Sequence, residues 1–298
     1  MHHVFIINPV AGKGRSLQMV EVIKQRFKDF THTFEIYITE KSGHATEIAR
    51  HVASTGETVR IYSVGGDGTL NEVVNGIAGF PNVELGIIPC GSGNDVARHL
   101  YSVPDPLELI KVLPESTSKV VDLGKLNKKY FFNIASAGFD AEVTLNSRYF
   151  KKFPFVTGSM SYILGVLVTL IRCKKYKLKI TLDDSAPIEK ELLLAIFANG
   201  SYYGGGMKAA PSAEMDDGKI DFYLIDSLPR RKILKFFPLF QKGKHESMKE
   251  VSLSKGTKAI VESDDPFPVN IDGETSLETR LTVELLPKYI KVLIPQEQ

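Results

Sequence analysis

Cysteine is scarce in this 298-residue chain: Cys90 and Cys173 are the only two, too few for a disulfide framework and without zinc-type spacing. That excludes a disulfide-stapled secreted scaffold and favours a reducing compartment, the cytoplasm by default. Charge of one sign is also missing, since 37 Lys and Arg stand against 35 Asp and Glu for a formal net charge of +2. Neither a strongly basic nucleic-acid binder nor an acidic tail protein has that balance, and no nucleic-acid partner is expected. Long apolar runs are lacking too. Phe153 to Ile171 is uncharged, but Pro154 and Gly158 interrupt it and Thr157, Ser159, Ser161 and Thr169 stud it. Its dense part, Met160 to Ile171, is too short for about 30 Å of hydrocarbon at about 1.5 Å per residue. It reads as a buried or membrane-facing helix. The opening His3-Val4-Phe5-Ile6-Ile7-Asn8-Pro9 enters a strand-like run with no basic region and no small-residue cleavage site, so no export signal is expected.

The common nucleotide and metal motifs are missing as well. No Gly-Lys pair is followed by Ser or Thr, which excludes a Walker A loop, and Gly12-x-Gly14 lacks the third glycine of a dinucleotide fingerprint. His245-Glu246 has no second histidine at zincin spacing.

What is present is a normal globular mixture, 43% apolar and 24% charged, long enough for about two domains. Through residue 125 short apolar runs (His3 to Ile7, Thr33 to Thr39, Thr58 to Val64, Glu84 to Pro89) alternate with helical patterns (Ser16 to Phe27, His44 to Ser54, Leu70 to Ile77, and one opening at Asp95). That alternation predicts an α/β domain, doubly wound on a parallel sheet, with ligands at the carboxyl ends of its strands. From about 126 to 286 many short strand-like runs, such as Lys129 to Ile134, Glu189 to Ala198 and Phe267 to Ile271, suggest a β-sandwich. The helical exceptions are Phe153 to Ile171 and Arg230 to Phe240. Residues 287–298 are expected to return to the first domain, with a cleft between the two.

Three glycine loops follow the parallel strands: Asn8-Pro9-Val10-Ala11-Gly12, Gly65-Gly66-Asp67-Gly68-Thr69-Leu70-Asn71, and Gly91-Ser92-Gly93-Asn94-Asp95. Glycine lets a backbone turn and approach a ligand without a Cβ in the way, so amides can aim at phosphate oxygens. An acidic residue there would repel bare phosphate, so Asp67 makes sense facing Mg²⁺ that neutralises the phosphates. A tight turn with Asp67 as a helix cap, and Asp95 as an N-cap, are the plain structural alternatives.

These loops, with Gly138-Phe139-Asp140, Gly204-Gly205-Gly206, Glu214-Met215-Asp216-Asp217-Gly218-Lys219 and Asp272-Gly273-Glu274 following in order, make the chain resemble the diacylglycerol kinase catalytic-domain family, specifically its soluble bacterial lipid kinases. The resemblance covers essentially the whole chain. It implies ATP held by Asn8, Pro9, Gly12, Thr39, Gly65 to Asn71 and Ser92, with Asn94 and Asp95 in the third loop. It implies Glu274 as acceptor of the lipid hydroxyl's proton, with Asp67 as its catalytic companion. It also implies a structural Mg²⁺ at the acidic turn, held by the carbonyls of Glu214 and Lys219 and the side chain of Asp217. Asp140 is open between orienting the hydroxyl and capping a loop, and Asp272-Gly273-Glu274 on spacing alone is a hairpin turn. Arg148, Lys151, Lys152, Arg172, Lys174 and Lys175 flank the apolar segment, and Arg230, Arg231, Lys232 and Lys235 precede Phe236, Phe237 and Phe240. Such borders suit peripheral docking on anionic lipid, though a core helix with solvated flanks reads equally well.

The expected activity is Mg²⁺-dependent transfer of the ATP γ-phosphate to a lipid hydroxyl, most simply diacylglycerol to phosphatidic acid. A NAD kinase shares the glycine-aspartate loop but needs a separate Asn-Glu pair, and the one Asn-Glu here, Asn71-Glu72, lies in the loop's own helix. A non-catalytic lipid or nucleotide sensor is the alternative of another class. Oligomeric state is open, a homodimer included.

Overall fold

The structure, a computed structural model, describes residues 1–296 except 29, 102, 103, 151, 154, 157 and 173. The expectations for Lys151, Pro154, Thr157 and Cys173 therefore lie outside the described residues.

The first half is built from β1 (His2–Ile7), α1 (Arg15–Phe27), β2 (Thr33–Ile38), α2 (His44–Ala53), β3 (Val59–Gly65), α3 (Asp67–Ile77), β4 (Val83–Pro89), α4 (Asp95–Leu100) and α5 (Pro106–Val112). The strands are parallel in the order β2-β1-β3-β4. β1 and β3 are near-continuous apolar runs because both faces of the sheet are covered. The chain crosses from β2 over β1 to β3, so the switch point lies at the carboxyl ends of β1 and β3. That is where an open α/β sheet leaves a crevice. The loops after β1, β3 and β4 are the three glycine loops.

The second half contains β5 (Thr117–Leu126), β6 (Lys129–Phe131), β7 (Ile134–Gly138), α6 (Phe139–Phe150), α7 (Gly158–Arg172), β8 (Tyr176–Leu182), β9 (Ile188–Ala198), β10 (Ile220–Asp226), α8 (Arg230–Gln241), β11 (Val251–Gly256), β12 (Lys258–Ile271) and β13 (Glu274–Ile294). Its strands pair antiparallel, and β7 and β8 each bond to both β9 and β12. Phe131, Phe197, Phe222, Phe267 and Leu281 fill the sandwich interior. On the other face α6 and α8 cover Leu193, Ile196 and Tyr223 with Phe139, Phe236 and Phe240.

β13 joins the halves. It forms a hairpin with β12, runs antiparallel along β5, and ends parallel to β4 at Lys291 and Val292. Two departures from the sequence reading have physical causes. The strand expected over Lys129 to Ile134 is broken after Phe131, because the amides of Phe132, Asn133 and Ile134 all turn onto the Asp272 carboxylate. The glycine-aspartate segment is no loop but the start of α6, a helix that strand-like patterning around it concealed.

Candidate nucleotide cleft

A cleft of about 700 Å³ lies where the three glycine loops meet the β12–β13 turn. The loops are packed backbone to backbone. A Cβ at Gly12, whose φ is 58°, would strike the Cys90 carbonyl, and one at Gly91 would strike the Gly66 Cα. Only glycine allows that approach, and it leaves main-chain atoms as the cleft floor. Asn8 braces the first loop against the second, its Nδ2 donating to Thr69 Oγ1 at 3.0 Å and its Oδ1 accepting from the Val10 amide at 3.2 Å. α3 begins at Asp67 with no side chain capping its amides, so its positive end faces the cleft.

Of the residues expected to bind nucleotide, Asn8, Pro9, Gly12, Thr39, Gly66, Asp67, Gly68, Thr69 and Ser92 line this cleft, together with Glu274. Five others do not line it. Gly65 is buried in β3 under Thr69, and Leu70 packs into the core. Asn71 points across to the second half, donating to Asp272 Oδ2 at 3.2 Å. Asn94, in the left-handed conformation at φ 54°, clamps Gly91 through both its amide oxygen and nitrogen at 2.9 Å. Asp95 accepts the amides of Gly205 and Gly206 at 2.8 and 2.7 Å and so ties the third loop to the triple-glycine turn. Burial pushes the Asp95 carboxyl up to about 6 against the pull of those amides.

Asp67 has a structural duty of its own: its oxygens accept the amides of Asn94 and Asp95, each at 2.8 Å. A carboxylate oxygen has a further lone pair, and Asp67 lines the cleft. One carboxylate beside phosphate oxygens and water is the surrounding Mg²⁺ usually takes, so a nucleotide-borne Mg²⁺ fits here.

At the acidic turn the carboxylates meet lysines. Asp217 Oδ1 accepts the Lys219 amide at 2.9 Å, and Oδ2 meets Lys255 Nζ at 2.9 Å. The same ammonium lies 3.3 Å from Asp221 and 3.2 Å from the Ser212 carbonyl. Asp216 pairs instead with Lys119 at 2.7 Å. Among the described residues no metal-type cluster of His, Cys, Asp and Glu forms. In the turn holding Glu214, Asp217 and Lys219 the Asp217 carboxylate is thus shared between the Lys219 amide and the Lys255 ammonium, and a Mg²⁺ there would take its other oxygens from main-chain carbonyls and water.

Sequence reasoning named Asp272 as part of a hairpin turn and Arg148 as part of a basic border, but not what either one holds. Asp272 opens a two-residue hairpin turn with Gly273, both at positive φ (45° and 95°). It gathers the three amides of 132–134 and Asn71, and desolvation pushes its carboxyl up to about 6. Arg148, on α6, donates to the Gly273 carbonyl at 2.9 Å and to Thr275 Oγ1 at 3.2 Å. Between these anchors Glu274 stands exposed, its carboxylate 3.0 Å from Lys129 Nζ. Asp140 is buried behind the turn, bonded to Ser136 Oγ at 2.5 Å and Asn270 Nδ2 at 3.3 Å, while Asn270 Oδ1 accepts the Gly273 amide.

The fold and cleft define a class: a doubly wound α/β half and a β-sandwich half that meet at glycine-rich loops. Residues 2–126 match the diacylglycerol kinase catalytic domain, and residues 133–294 the YegS C-terminal NAD kinase beta sandwich-like domain. The chain belongs to the diacylglycerol kinase family of lipid kinases. It is 30% identical over 294 residues to a diacylglycerol kinase of Staphylococcus saprophyticus, covering 98% of this chain and 95% of that one. It is 29% identical over 301 residues to one of Mycobacterium tuberculosis, covering 98% and 94%. Among solved structures, a diacylglycerol kinase from Bacillus anthracis shares the fold at a TM-score of 0.72 and 24% identity, over 98% of this chain and 96% of that one. An NAD kinase from Archaeoglobus fulgidus in complex with ATP does so at 0.53 and 13%, over 100% and 94%.

Proposed function

We propose that this protein is a Mg²⁺- and ATP-dependent kinase that phosphorylates a lipid hydroxyl, with diacylglycerol as the acceptor and phosphatidic acid as the product. One observation carries the reading: Glu274, on the turn between β12 and β13, faces the three glycine loops across a single cleft. Glycine-loop amides and the α3 N-terminus suit phosphate oxygens, and Mg²⁺ arriving with the nucleotide supplies charge neutralisation there. The lipid oxygen bonds to the γ-phosphorus, the bond to the β–γ bridging oxygen breaks, ADP leaves, and the hydroxyl proton passes to Glu274. A carboxylate is a weak base towards an alcohol, so its work is to orient the hydroxyl and take the proton late. The larger part of the rate is positioning, which is why Asp67, Asp95 and Asp272 are spent on holding loops.

The lipid side is supported by surface chemistry. Phe155 is 92% exposed, Ile171 67% and Leu234 62%, beside Lys152, Arg172, Lys174, Arg230 and Arg231. No helix among the described residues is long and apolar enough to cross a membrane. Apolar tips bordered by cations fit shallow docking on anionic lipid.

The test is transfer of labelled γ-phosphate from ATP with Mg²⁺ to diacylglycerol, phosphatidylglycerol, a sphingoid base and NAD, the lipids in micelles of varied anionic content. Transfer to diacylglycerol is expected, rising with anionic lipid. Glu274→Gln and Asp67→Ala should each reduce it about 100-fold or more. Transfer to NAD alone, or to nothing, would overturn the reading.

A further inference from the structure

Arg148 belongs by sequence to the basic border of an apolar segment. The structure moves it into the cleft. From the last turn of α6 its guanidinium reaches the cleft wall and binds the Gly273 carbonyl and Thr275 Oγ1. Those acceptors are the residues on either side of Glu274, so Arg148 brackets it. A guanidinium has more N–H groups than these two contacts use, and among the described residues Arg148 meets no carboxylate. Charge sharpens the point. Glu40, Asp67, Glu72 and Glu274 line the cleft, and among the described lining residues the side-chain cations are Lys41 and Arg148, with Lys129 outside the lining and paired to Glu274 at 3.0 Å. Lys41 comes from the loop after β2, whereas Arg148 is fixed to the turn that receives the hydroxyl proton.

Resting on the kinase reading above, we propose that Arg148 is a catalytic residue that contacts the phosphoryl group in flight. As the lipid oxygen–phosphorus bond forms and the bond to ADP breaks, negative charge spreads over the equatorial oxygens, while the hydroxyl proton goes to Glu274. The free edge of the guanidinium meets that charge. Its bonded edge keeps Glu274 in register with the acceptor, so one side chain couples the base to the transferring group. A planar fork can do both, and a lysine cannot.

The experiment compares wild type, Arg148→Ala and Arg148→Lys. Titration calorimetry measures binding of MgADP and of MgADP with aluminium fluoride, which mimics the transferring group, and lipid phosphorylation gives kcat and KM. Arg148→Ala is expected to bind MgADP within about threefold of wild type and the fluoride complex about 100-fold more weakly, with kcat down by about the same factor and KM for ATP little changed. Free guanidinium should restore part of the Arg148→Ala rate, and Arg148→Lys should recover little of it. Equal weakening of both nucleotide complexes without rescue would overturn the proposal in favour of a structural prop, as would unchanged kcat. Wild type that phosphorylates no lipid would instead sink the kinase reading, and the ratio of the two nucleotide affinities would still decide for or against Arg148.

Discussion

His3 sits on β1 with no exposed surface, its Nδ1 2.9 Å from the Tyr62 hydroxyl and its Nε2 3.0 Å from His32 Nδ1. Burial, reinforced by His32 and Arg60, holds its pKa down at about 3. The unfolded chain takes up a proton near pH 6.5 that the folded chain refuses until about pH 3. This group's contribution to stability is therefore full above about pH 6.5 and is lost as pH falls through that window, at up to about 1.4 kcal/mol per pH unit. His99 and His245, also lowered by burial, act in the same direction. The buried carboxyls of Asp95, Asp140, Asp221 and Asp272, raised to about 6, act in the opposite direction over the same range. His3 is therefore read from a difference: in urea unfolding from about pH 7.5 to 5.5 the stability of wild type minus that of His3→Phe should fall as pH falls. A difference that stays constant with pH would mean that His3 titrates normally in the fold. At this scale the sequence was legible where chemistry is local. The glycine loops and Asp67 could be read from spacing, but Asp272 meets Asn71 from 201 residues away and Arg148 meets Gly273 from 125, and no periodicity records such pairs.

The elements whose pattern is self-contained were also readable. β1 to β4 and the helices between them follow from apolar runs and helical spacing, because each packs on its sequence neighbours. α6 was not, since its apolar face is defined by α7 and β9, which come later in the chain. The acidic turn shows the same limit: nothing in its own sequence tells that Lys255, on β11, lies against Asp217 and Asp221. Chelator should then leave the melting temperature of the nucleotide-free protein unchanged. Lys255→Met should destabilise by about 2 kcal/mol, since Asp221, with no exposed surface, and the largely covered Asp217 lose their counter-charge. A fall of several degrees with chelator would place a metal at the turn after all.

β13 decides how the two halves behave as one molecule. Its 21 residues bond to β12 near the cleft, to β5 along its length and to β4 at its end, so the strands of both halves form one hydrogen-bonded sheet. The bend at 287–289, where Lys288 has φ 52°, is fixed by Asp122, which accepts the Lys288 amide at 2.7 Å and the Gly218 amide at 2.8 Å. Asn71–Asp272 and Asp95–Gly205 add polar ties across the same boundary. A cleft between halves joined this way is held by shared backbone, so the β12–β13 turn cannot drift from the glycine loops without breaking strand pairs. The halves should accordingly unfold in one transition, with circular dichroism and tyrosine fluorescence coinciding. Val292, with no exposed surface, pairs with Leu85 on one side and Lys119 on the other. Val292→Asp would bury an unpaired charge there and cost about 4 kcal/mol or more. Hydrogen exchange in that variant should quicken in β3 and in the distant β9 together; acceleration confined to the first half would show that the shared strand does not couple them.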